Sequence, residues 1–73
     1  MTEISNELEK LAVIAADLGL SADLRTKAIQ LIGNIGTHEA LIALLALVAN
    51  KDLAKEERDL AIQQAREIIK SGR

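Results

Sequence analysis

Apolar and polar positions divide the chain into four stretches of helical period. In the first, Ile4, Leu8, Leu11, Ala15 and Leu18 fall on one stripe of a helix over about Glu3 to Leu18. Thr2 is placed to cap it, Glu3 and Glu7 suit the positive end of its dipole, and Gly19 is placed to stop it. Val13 points away from the stripe. The second stretch, about Ala22 to Ile35, opens on Ser21 as N-cap and carries Leu24, Ala28, Leu31 and Ile35 as its stripe, with Ile32 beside them. Gly33 inside it costs about 1 kcal/mol against alanine, so a neighbouring helix is expected to approach closely there. Gly36 then ends the helix.

The third stretch holds an unbroken apolar run, Ala40 to Ala49. A bilayer span needs about 20 such residues, so this is not one. Its alanines and leucines favour a helix, over about His38 to Ala49 with Thr37 as N-cap. A helix apolar nearly all round is expected to be buried nearly all round, with the others packed on it. Leu41, Leu44, Leu45 and Val48 centre the expected buried arc, and Ile42 and Leu47 flank it on opposite sides. The fourth helix is predicted from Leu53 or Ala54 to Lys70, with Asp52 as N-cap and a stripe of Ala61, Ala65 and Ile68 flanked by Ile62 and Ile69. No stretch predicts a strand. Connections are short and lack proline, so successive helices should be antiparallel neighbours in one all-α domain spanning 1–73.

Slid on itself by 33 residues, the chain matches. Leu8 meets Leu41, Leu11 meets Leu44, Ala16 meets Ala49 and Leu20 meets Leu53. Arg25 meets Arg58, Ala28-Ile29-Gln30 meets Ala61-Ile62-Gln63, and Ile35 meets Ile68. The repeats cover about 4–36 and about 37–69, one helix pair each. The segment from Leu24-Arg25 through Ala28, Leu31-Ile32-Gly33-Asn34-Ile35-Gly36 to Glu39-Ala40-Leu41 resembles a HEAT repeat, in the short form found in phycobilisome-lyase-like proteins. That resemblance implies two stacked helical hairpins, a short α-solenoid; the alternative is an ordinary antiparallel four-helix bundle. It also implies an aspartate six residues before the arginine, holding it beneath the inter-helix turn. Asp52 and Arg58 keep that spacing, whereas the position before Arg25 is Gly19, leaving Arg25 to Asp17, Asp23 or a carbonyl. The Pro that often precedes Glu-Ala in the family is His38 here.

Composition narrows the function classes. There is no cysteine to staple the fold or bind zinc, and the single histidine, His38, has no second ligand near it. No Ser/His/acid set, paired acid and base, or phosphate-cradling loop stands out, so no catalytic, cofactor-binding or metal residue is assigned and the chain is read as no enzyme. Net charge is −2 and aromatic residues are absent, which removes the electrostatic and base-stacking grounds for nucleic acid or an anionic membrane. An acidic N-terminus without a basic signal segment points to the cytoplasm. Arg25 and Arg58 are read as structural groups of the repeat in preference to an anion site, and Lys55-Glu56-Glu57-Arg58-Asp59 as a solvated helix face. What remains is a surplus of aliphatic residues, Val13, Ile29, Ile42, Leu47, Ile62 and Ile69, beyond what four short helices can hide. The expected function is a non-enzymatic protein-interaction module, a HEAT-like scaffold or adaptor that forms a homodimer. The resemblance alone implies a second class, an accessory to chromophore attachment; a third is a fragment or engineered repeat without independent activity.

Overall fold

The computed structural model describes residues 2–71, and their side chains from Asn6 onward. Four helices follow one another: α1 (Thr2–Ala16), α2 (Ala22–Ile35), α3 (His38–Val48) and α4 (Lys55–Lys70). No strand occurs among the described residues. The expected cap at Thr2 and the expected core position of Ile4 concern side chains outside the described set.

Two helix starts form as their sequences dictate. Ser21 Oγ accepts from the Leu24 N–H at 3.3 Å, and Thr37 Oγ1 accepts from the Ala40 N–H at 3.2 Å, each satisfying an amide with no partner inside its helix. Gly36 closes α2 in the left-handed conformation, φ 70°, which a side chain would strain.

The other two ends differ from expectation. α1 stops at Ala16, and Gly19 is not left-handed; its N–H donates to Asp17 Oδ1 at 2.8 Å in a turn that the aspartate organises. Leu18 therefore leaves the α1 stripe and stands exposed. α4 begins at Lys55 with Ala54 as an N-cap that makes no side-chain bond, so Asp52 is not the cap. Asn50 explains the shift: its Oδ1 accepts from the Asp52 N–H at 3.0 Å and its carbonyl from the Leu53 N–H at 3.2 Å, holding the chain in a turn past Asp52.

Helices pack within each pair, α1 on α2 and α3 on α4. Between pairs α2 lies along α4, meets α3, and α1 touches α3. Among the described residues α1 and α4 do not meet, although a closed four-helix bundle would join its first and last helices. The arrangement is two helical hairpins side by side, with α1 and α3 in one layer and α2 and α4 in the other. Arg25 faces Glu57 near the start of α2 and α4, and Gly33 faces Gln64 further along both, so α2 and α4 run parallel. A Cβ on Gly33 would run into the Gln64 side chain, which is the close approach expected of a mid-helix glycine.

The core comprises Leu8, Ala15, Ala28, Ile29, Ile32, Ala40, Leu44, Leu47, Leu53, Ala61, Ala65 and Ile68. The α4 stripe of Ala61, Ala65 and Ile68 is buried as expected. On α2, however, Leu24 and Leu31 are exposed, while Ile29 and Ile32 are fully buried. α2 has neighbours on three sides, so its buried arc is wider than one stripe and is centred elsewhere. Two residues assigned to an external interface, Ile29 and Leu47, thus belong to the interior. On α3 the buried line is Ala40, Leu44 and Leu47; Leu45 and Ile42 are exposed, so the apolar helix is not covered all round.

Candidate functional site

Among the described residues one ion pair clasps the hairpins. Arg25, in the first turn of α2, donates from Nε to Glu57 Oε1 at 3.0 Å and from Nη2 to Glu57 Oε2 at 2.9 Å. This is the two-pronged fit of a planar guanidinium on a carboxylate. Nη1 turns the other way, donating to the Leu20 carbonyl at 2.6 Å and to the Asp17 carbonyl at 3.3 Å, and so ties the α1–α2 turn to the seam. Side-chain exposure is 11% for Arg25 and 5% for Glu57. The hydrogen bond from Glu57 raises the Arg25 pKa further above its ordinary value, with burial opposing and Coulomb attraction to Glu57 and Asp17 assisting. All three Arg25 side-chain nitrogens are engaged within the chain, so the side chain is not offered to an external anion. A carbonyl does hold it, as its spacing allowed, but its principal partner is a glutamate of the other hairpin.

Glu57 was hidden within a charge run that reads as solvated. Lys55, Glu56 and Asp59 behave that way, and Lys55 Nζ donates to Asp59 Oδ2 at 2.9 Å across an exposed helix turn. One signal could have isolated Glu57. It stands at the position matching Leu24 in the 33-residue self-match, an apolar place on the expected α2 stripe, although Leu24 itself is exposed and only the α4 position is covered, by α2.

Arg58 does not form the expected pair with Asp52, nor a bond to the α3–α4 turn. Asp52 is exposed in the Asn50 turn, displaced from the helix that carries Arg58. The Arg58 Nε is buried and has no hydrogen-bond partner among the described residues. Gly33 and Gly36 serve packing and helix termination, as described above.

Of the residues assigned to an interface, Val13, Ile42, Ile62 and Ile69 are exposed. Leu18, Leu24, Leu31 and Leu45 join them, which sequence reasoning had placed inside. These side chains do not form one patch. Leu24 and Leu31, seven residues apart, share the side of α2 turned away from α4; Ile62 and Ile69, also seven apart, share the outer side of α4. Val13 lies at a shallow depression of about 440 Å³ on α1, with Glu9, Lys10 and Ile14. It is open to solvent and assembles no acid–base or nucleophilic set.

His38 is exposed at the start of α3. Among the described residues no three His, Cys, Asp or Glu side chains come together around a position for a metal ion. No helix is long and apolar enough to cross a membrane among these residues. Comparisons with protein-family models, with curated proteins and with solved structures find no match for this chain.

Proposed function

We propose that the chain is a non-enzymatic protein-interaction module, a HEAT-like pair of hairpins that self-associates. The observation carrying this reading is the paired, in-line exposure of large aliphatic side chains on the two outer edges of the α2/α4 layer. Leu24 and Leu31 are about half exposed, with Ile62 and Ile69 on the opposite edge. Fully burying a side chain of this kind is worth about 1.5–3 kcal/mol, and in-line pairs form a seam in a way that scattered residues do not. The resemblance of Leu24 to Leu41 to a short HEAT repeat supports the same reading, since stacked hairpins bury their edges against neighbours.

The α2 edge is the better self-pairing surface. A two-fold axis across it would set Leu24 of one copy against Leu31 of the other, whereas the same operation on α4 would set Arg58 near Arg66 of the second copy. The expected result is a homodimer whose melting temperature rises with protein concentration. Sedimentation equilibrium across the micromolar range checks it, with Leu31→Glu and Ile42→Glu as probes. Leu31→Glu should yield a monomer, and Ile42→Glu should leave the dimer intact. A chain that stays monomeric throughout, with melting unaffected by dilution, would defeat self-association.

A further inference from the structure

The two repeats present the same edge in two states, one covered and one open. On α2 the edge carries Arg25 and Ile29, and α4 covers it: Arg25 is forked onto Glu57 and Ile29 is 0% exposed. One repeat on, the equivalent positions are Arg58 and Ile62. There Ile62 is 37% exposed, Ile69 on the same line is 61% exposed, and the buried Arg58 Nε has no partner among the described residues. At about 100° per residue Arg58, Ile62, Arg66 and Ile69 share one side of α4. A chain of net negative charge thus carries an apolar line bracketed by two arginines.

We propose that this edge takes an acidic amphipathic helix from a protein partner, lying parallel to α4, with one carboxylate on Arg58 and a second seven residues later at Arg66. The proposal names the partner chemistry for the interaction-module reading and rests on it. α4 itself is the template for the occupant. It meets α2 through Glu57 at Arg25 and through Gln64, seven residues later, at Gly33. Arg66 holds the repeat position of Gly33, so the occupant meets a cation where α4 meets a glycine, and an acid there replaces the glutamine. Aliphatic or small residues complete its stripe at i+4 and i+11, as Ala61 and Ile68 do in α4. A second copy of this chain fits poorly: stacked head to tail it would lay Leu24 over Arg58 and Leu31 over Arg66, leaving both cations unpaired. Charge complementarity therefore selects an acidic partner helix over self-stacking.

The test is a labelled alanine-based peptide of about 18 residues, long enough to hold a helix, with Glu at i and i+7 and Ile at i+4 and i+11. Its binding to the full chain is followed by fluorescence anisotropy. Saturable binding is expected, weakened about thirtyfold or more by Arg58→Gln in the protein or by Glu→Gln at i in the peptide. Pairing Arg58→Glu protein with a peptide bearing Arg at i should restore binding. Should Arg58 variants fail to fold, judged by circular dichroism, exposed Arg66→Gln serves instead and should weaken binding severalfold. No saturable binding to the unaltered chain, or binding by Arg58→Gln and Arg66→Gln as tight as by the unaltered chain, would overturn the proposal. Sedimentation of the chain without peptide separates the two readings. Self-association abolished by Arg58→Gln would make a second copy the occupant and also overturn the proposal. Peptide binding by a monomeric chain would sustain it while removing self-association.

Discussion

Glu57→Ala lowers the melting temperature by roughly 10–20 °C, the expected effect of stranding a guanidinium inside a small domain. Arg25 would keep its bonds to the Leu20 and Asp17 carbonyls but lose both bonds to the carboxylate that joins the hairpins. The loss comes mainly from the unpaired charge, because ion pairing of this kind returns little beyond its own desolvation cost. The double substitution Arg25→Met with Glu57→Leu should therefore recover most of the lost stability. Thermal unfolding followed by circular dichroism measures both. A double variant as unstable as Glu57→Ala would show that the pair itself, and not the stranded charge, holds the seam.

Ile32→Ala and its neighbour Leu31→Ala should part sharply. Ile32 is fully buried in the α2 face, and its truncation should cost about 2–5 kcal/mol. That is comparable to the whole stability of a domain of this length, so a large unfolded fraction is expected in buffer. Leu31, half exposed, should lose less than about 1 kcal/mol in the monomer. Urea titration at low protein concentration, where self-association does not contribute, makes the comparison. Equal losses at the two positions would mean that the buried face of α2 is assigned wrongly.

The contrast between those neighbours marks how far the sequence could be read. Periodicity, Ser21, Thr37 and the glycine at 36 located α2 and most of α3, because these signals are local and act through the backbone. Which way each helix turns is not local. A single-stripe reading assumes one neighbour, and α2 has three, so Ile29 and Ile32 displaced Leu24 and Leu31 from the interior. Leu47 was misread for a related reason: on a helix apolar on most sides, hydrophobicity does not say which line faces inward. The 33-residue repeat placed Arg25 and Arg58 as equivalents but could not show that their surroundings differ. Glu57 is absent from the first repeat, so the partner of Arg25 had no counterpart in the pattern. Asp52 had the right spacing and the wrong backbone, since Asn50 commits that segment to a turn.

Gly36 and Thr37 are the whole connection between the hairpins, shorter than the turn inside either one. Their brevity couples the halves mechanically. With so little slack, α3 cannot swing away from α2 without unwinding the left-handed glycine and the threonine cap together. Neither hairpin could retreat and stay folded, because separation would uncover Ile29 on one side and strand Glu57 on the other. Long solenoids unravel one unit at a time, their stability a sum of nearly independent terms. Here the expectation is a single cooperative transition, and amides on both sides of the Gly36–Thr37 joint should exchange with solvent only when the whole chain unfolds.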